Sequence, residues 1–276
     1  MGSISNLKPR AEHVAAPPRR FCITSHGVPI EICASETSIL ERIETGLPVG
    51  SRRTRRTRDA ASYAFWQHPS QALYALTIDG AWLAGPAPLD DVLAVFEPHL
   101  IMRIAERAPH HTFVHAGVVR FNGRGIMLPG YSFAGKTTLV AELVRAGALY
   151  YSDEYALLDR DGFAHPYPRP LQMRKPGERT QTAIPVGEIG GVAGTEPIAI
   201  DLVAFCTYKQ GGRFRPRTVT PGRAALEMLQ YTMSARHAPE AALGALQRVV
   251  TGAALIKGTR GETSQVIDFL AKRFPA

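Results

Sequence analysis

The run Gly130-Tyr-Ser-Phe-Ala-Gly135-Lys136-Thr137 leaves the chain around it few ways to fold. It has the form G-x-x-x-x-G-K-[ST], the Walker A pattern, whose backbone amides close around an anion. Such a loop works only between a strand and the start of a helix. Before it, Gly125-Ile-Met-Leu128 reads as a short buried strand. After it, residues 138–146 read as a helix with Leu139, Val140, Leu143 and Val144 on one face, and Gly147 supplies the stop. The first-turn amides and the helix dipole favour negative charge. On this pattern Lys136 reaches the β- and γ-phosphates and the Thr137 hydroxyl ligates Mg2+. Gly130, Ser132, Phe133, Ala134, Gly135, Lys136, Thr137 and Thr138 then form the phosphate cradle.

At 276 residues the chain is long enough for one large domain or two small ones, and 45% hydrophobic residues suffice for a core. No apolar run reaches the length of a membrane span. The first twenty residues carry Lys8, Arg10, Arg19 and Arg20 but no apolar stretch, which argues against a secretory signal. We expect a flexible tail over residues 1–19. Cys22, Cys33 and Cys206 are scattered and odd in number, without a C-x-x-C pair, so neither a zinc site nor a disulfide framework is indicated. A cytoplasmic location follows as the expectation.

The net charge is +8, much of it in Ser51-Arg-Arg-Thr-Arg-Arg-Thr-Arg58. This segment reads first as a solvated loop. Docking of an acidic peptide or nucleic acid is the alternative, though no aromatic residues interleave to stack on bases.

Periodicity divides the chain into an N-terminal α+β portion, residues 20–108, and a larger α/β portion, residues 109–276. In the first, residues 20–34 read as a hairpin about Ser25-His-Gly27 and residues 39–43 as a short helix. Residues 63–66 and 72–78 read as strands, with a turn at Asp79-Gly80. Residues 90–108 form an amphipathic helix that Asp90 or Asp91 caps and Pro98 kinks or splits. In the second, Phe113-Val-His-Ala-Gly-Val-Val119 is a strand and Asn122-Gly123 a hairpin turn. Residues 148–151 form a strand ending at Ser152-Asp153-Glu154, which is expected to lie beside the loop strand. Residues 165–170 are a Pro-rich extended loop, and residues 187–195 a mobile glycine-rich one. Residues 198–208 and 253–256 are strands. Residues 221–233, 239–250 and 262–274 are helices.

Paired acids at a strand end can divide labour, one holding a metal ion and the other taking a proton from an attacking hydroxyl. With the phosphate loop they make a nucleotide-dependent transfer site. Arg169 and Arg174, in and after the Pro-rich loop, are candidate phosphate or substrate contacts. Arg236 and the Arg260-Gly-Glu262 turn read first as surface, with a place facing the site as the alternative.

Taken in order, Phe113-Val-His115-Ala-Gly117, Gly125-Ile-Met-Leu-Pro-Gly130, Gly135-Lys-Thr137 and Tyr151-Ser-Asp153-Glu154 resemble the catalytic domain of the HPr kinase/phosphorylase family. That family is related to the phosphoenolpyruvate carboxykinases. Asp153 follows Lys136 at the family's spacing. The run from Ser152 through Asp159, with Pro166-Tyr-Pro-Arg-Pro170 behind it, is similar to a bacterial subgroup of HPr-kinase-like proteins, which is related to kinases acting on a serine of lasso-type precursor peptides. The resemblance implies a P-loop kinase fold, ATP and Mg2+ as cofactors, and oligomerisation. It implies that Asp153 is the general base toward a serine hydroxyl, that Thr137 and Glu154 hold Mg2+, and that His115 is the active-site histidine, which helps set charge near that base. Glu154 stands where the family usually has a second aspartate, and the family's Glu-x-Arg-Gly-x-Gly stretch is not evident.

The expected activity is therefore transfer of a γ-phosphoryl group to a hydroxyl of a peptide, protein or small molecule. The alternatives are an ATPase or switch without an acceptor and, from the arginine run alone, a nucleic-acid-associated ATPase. No Asn-Lys-x-Asp motif supports a guanine-nucleotide switch.

Overall fold

A computed structural model of the chain describes residues 19–68, 71–131, 135–174 and 181–275. Nearly all of the expected tail falls outside these residues, as do Ser132, Phe133 and Ala134. The chain divides between Pro109 and His110 into two units, each mixed α/β.

The first unit is built on a six-stranded sheet. Strands β1 (Arg19–Ser25) and β2 (Val28–Ala34) pair antiparallel about His26 and Gly27, both at positive φ, as a tight hairpin turn requires. Helix α1 (Thr37–Thr45) follows, then β3 (Ser51–Arg53), β4 (Ala61–Gln67), β5 (Tyr74–Ile78) and β6 (Ala81–Ala87), in the order β3-β1-β2-β4-β5-β6. Helix α2 (Leu89–Arg107) is continuous through Pro98, contrary to a split there. Its buried face of Val92, Leu93, Phe96, Leu100 and Ile104 offsets the lost backbone bond; Phe96 packs edge-on against Tyr63 and Phe65 at 5.1 Å each. Its N-cap is Pro88 with no side-chain cap, so Asp90 and Asp91 are first-turn charges rather than caps, and Asp90 also pairs with Arg42 at 2.6 Å.

The arginine run is not simply a solvated loop. It begins as edge strand β3, pairing with β1 from Ile23 to Ser25. Arg53 bonds both Glu44 oxygens at 2.7 and 2.6 Å and lies over the Phe21 ring, and Arg56 meets the buried Glu31 carboxylate at 2.9 Å.

The second unit carries the glycine loop. Strands β7 (Thr112–Phe121) and β8 (Arg124–Pro129) form a hairpin through Asn122-Gly123, again with positive φ. Helix α3 (Lys136–Arg145), β9 (Leu149–Ser152), β10 (Tyr155–Leu158) and β11 (Ala164–His165) come next, then the ribbon β12 (Leu171–Arg174) and β13 (Gln181–Ile184). The chain continues with β14 (Ile200–Tyr208), β15 (Arg217–Thr218), α4 (Pro221–Leu229), α5 (Pro239–Gly252), β16 (Ala254–Arg260) and α6 (Thr263–Arg273). The main sheet runs β11-β10-β7-β8-β14-β16-β15, with β9 also on β7.

Strand β8 is buried on both faces. Ile126 and Leu128 pack with Leu139, Val140 and Leu143 of α3 and with Val266 and Leu270 of α6. Met127, pointing the other way, packs with Met228, Leu246 and Val249 of α4 and α5. A strand covered by helices on both sides reads as a continuous apolar run, which is why Gly125-Ile-Met-Leu128 was legible.

One expectation about this sheet is corrected. The strand leading to Asp153 does not lie beside β8. The Asn122-Gly123 turn folds β7 onto one edge of β8, and β14 takes the other in parallel. Both β9 and β10 therefore pair with β7. Residues 187–195 are also tied down rather than loose. A 3-10 turn ends at Gly190, and the Tyr150 backbone exchanges 2.8 Å bonds with Val192 and Gly194.

Candidate functional site

The site lies at the end of β8, where the chain leaves the sheet and turns into α3. Gly135 is the N-cap of α3, with φ of 75° and no side-chain cap. The first-turn amides of such a helix lack intrahelical partners and are available to an anion. Lys136 is buried, and its ammonium donates to the carbonyls of Gly130 at 2.7 Å and Tyr131 at 2.8 Å. Burial holds its pKa down to about 8, against the pull of Asp153 and Glu154.

The acids arrive from the opposite side. Ser152 Oγ accepts from the backbone N–H groups of Glu154 (3.1 Å) and Tyr155 (3.0 Å), forming a tight turn between β9 and β10. Glu154 O accepts from Ala116 N at 3.0 Å, and the His115 carbonyl accepts from Gly130 N at 3.2 Å. Strand β7 thus holds the acid turn on one edge and the start of the loop on the other. The intervening strand does not separate the two parts; it bridges them.

Asp153 is only 5% exposed and accepts from the Tyr150 hydroxyl at 2.9 Å. Glu154 forms an ion pair with Arg169. Burial pushes the Glu154 carboxyl up, and Asp153 adds to that, while Arg169 and Lys136 oppose it. His115 is pushed down to about 4, first by burial and then by the Lys136 charge, so its imidazole is neutral at pH 7.

A cavity of about 310 Å³ joins these groups. His115, Gly135, Lys136, Thr137, Thr138, Asp153, Glu154 and Arg174 all line it, so eight of the residues singled out in the sequence share one space. Gly130 stands behind it as a carbonyl partner of Lys136. Arg169 is not part of the lining and reaches the site through Glu154.

The donor set suits a hard cation. Two carboxylates and the Thr137 hydroxyl face one cavity, and among the described residues no group of three or more His, Cys, Asp or Glu could hold a metal alone. Mg2+ matches such a set, because it keeps waters and shares its shell with phosphate oxygens.

Sequence reasoning passed over Gln172, Met173 and Gln181, which bring the β12–β13 ribbon to the cavity wall. It also misplaced Arg260. That arginine is 3% exposed, and its Nη2 donates to the Gly135 carbonyl at 2.7 Å. Strand β16 continues past Ile256 to Arg260, parallel to β14 and in line with β8. Its place at the carboxyl end of a strand parallel to β14 emerges only from the sheet order. Arg236 is exposed, as read.

The described residues form an α/β protein in which the start of α3, with Lys136, shares one cavity with Asp153 and Glu154. No protein-family model matches the chain, and no curated protein matches it. Among solved structures it is similar to the Hpr(Ser) kinase/phosphatase from Coxiella burnetii, at 10% identity and a TM-score of 0.29, over 58% of this chain and 97% of that one. A likeness this low carries no weight in assigning function. Among the described residues no helix is long and apolar enough to cross a membrane.

Proposed function

We propose that the chain is an ATP- and Mg2+-dependent kinase that transfers a γ-phosphoryl group to a serine-type hydroxyl of a peptide, protein or small molecule. The observation that carries this reading is the shared cavity: a lysine and a bare helix N-terminus on one wall, and Asp153 with Glu154 on the other. A phosphate cradle alone needs neither the buried Asp153 nor the half-buried Glu154. Their presence is explained by a metal and by a proton that must be accepted.

In this reading the amides from Gly135 onward and the Lys136 ammonium hold the phosphates. Thr137 and Glu154 hold Mg2+, which supplies positive charge to offset the phosphate oxygens. Asp153, fixed by Tyr150, accepts the proton of the incoming hydroxyl. Neutral His115 lines the same space without adding a second positive charge beside Lys136. Catalysis is then mostly positioning and charge neutralisation.

The test is incubation with γ-labelled ATP and serine-containing acceptors, read by mass spectrometry. Lys136→Ala is expected to abolish nucleotide use. Asp153→Asn is expected to keep ADP binding and lose transfer, and transfer at the normal rate by that variant would remove Asp153 from the role of base. Release of phosphate with no modified acceptor would favour an ATPase or switch.

A further inference from the structure

We propose that Arg260 is the positioning residue that holds the Gly135 peptide, at the start of α3, in its anion-accepting form, a proposal that rests on the cradle reading given above. An amide cradle works only while its peptide carbonyls turn away from the cavity, since an oxygen facing a phosphate repels it. Among the described residues, two side chains hold carbonyls of this segment. Lys136 takes those of Gly130 and Tyr131, and Arg260 takes that of Gly135.

The two cations differ in what an entering anion does to them. Lys136 lines the main cavity and is the group an anion draws off its carbonyls. Arg260 lies beside Leu128, Leu139 and Cys206 and does not line the main cavity. Its guanidinium sits 5.4 Å from the Tyr208 ring centroid, and Nη1 donates to Gly261 O at 3.3 Å. Among the described residues its hydrogen bonds go to carbonyls, so a buried cation is spent on fixing backbone. Arg260 therefore keeps its hold while Lys136 changes partners.

Gly135 completes the device. A Cβ there would lie 2.4 Å from Arg260 Nη2, and the residue sits at φ of 75°. The glycine lets the guanidinium reach the peptide, and the guanidinium fixes the glycine.

The test uses full-length Arg260→Gln and Arg260→Lys with two readouts. The first needs no ligand: hydrogen exchange at the Leu139 amide, which bonds to the same Gly135 carbonyl at 3.2 Å. The second is ADP affinity by calorimetry, with the thermal midpoint measured alongside. In Arg260→Gln, Leu139 is expected to exchange faster and ADP to bind about tenfold or more weakly, as for loss of a charged hydrogen bond. Arg260→Lys is expected to recover part of both, and it decides the matter if the glutamine variant does not fold. A variant with a lower midpoint but unchanged exchange at Leu139, and ADP affinity within about twofold of the parent, overturns the proposal. Failure of the parent chain to bind ADP counts against the kinase reading, while the exchange readout still decides the role of Arg260.

Discussion

The Tyr150 hydroxyl donates to Asp153 Oδ1 at 2.9 Å while standing 2.8 Å from the Arg169 carbonyl. A hydroxyl has one hydrogen, so these two acceptors share it. The buried ring thereby ties the acid to the segment that supplies the partner of Glu154. Tyr150→Phe is expected to destabilise the fold by about 1–3 kcal/mol, the cost of a buried hydrogen bond to a charged group. It is also expected to lower the transfer rate more than ADP affinity. Urea denaturation and steady-state kinetics check the two parts. Equal losses in affinity and rate would mean that Tyr150 does not act through Asp153.

In the proposed function, Lys136 gives nucleotide binding a pH dependence. Its pKa of about 8 lies below the usual lysine value because burial disfavours the charge. The ammonium is present below that pH and lost above it. ADP affinity is therefore expected to fall as pH rises through about 8, with proton uptake on binding in that window. Lys136→Arg stays charged and should flatten the curve. Calorimetry from pH 6.5 to 9.5 in two buffers of different ionisation heat reads both effects.

His115 leaves a mark on stability at acid pH. Its folded pKa of about 4 lies below the ordinary histidine value, so between the two the unfolded chain binds the extra proton. Its contribution is thus fully present above the ordinary value and lost as pH falls toward 4. Carboxylates titrate in the same region, so the informative quantity is the difference from His115→Gln. That variant is expected to lose stability less steeply on acidification, measured by urea unfolding at successive pH values.

Arg169 opposes the upward push of burial on the Glu154 carboxyl. Arg169→Ala removes that opposition and leaves a carboxyl that burial pushes further up. The Mg2+ concentration for half-maximal activity is expected to rise about fivefold or more. A metal titration of activity that is unchanged in the variant would separate Arg169 from the metal.

A packing test bears on the sheet itself. Gly117 of β7 lies under α3, and a Cβ there would stand 2.6 Å from Val140 Cγ2. Gly117→Ala is expected to cost about 1–3 kcal/mol through overpacking. Gly80→Ala serves as the control for a glycine with nothing within 4 Å, although its φ of 81° carries its own strain. Chemical denaturation of both compares the two mechanisms.

What the sequence determined by itself is local. Strand β8, the glycine loop and α3 are contiguous, and each depends on neighbours within a few residues, so periodicity and the Gly135-Lys-Thr137 run define them together. The hairpin turns at His26-Gly27 and Asn122-Gly123 were legible for the same reason. The pairing of Asp153 with the loop was legible only as a spacing. Which strand lies beside which is a non-local choice made by competition for sheet edges, and there the tertiary structure decided: β7 sits between the loop strand and the acid turn, bonded to both. The same holds for Arg260 and for Gln181, which reach the site from distant parts of the chain. Neither carries a local pattern that tells a buried cation or a cavity wall from an ordinary surface residue, because burial is set by what packs around a residue and not by its sequence neighbours.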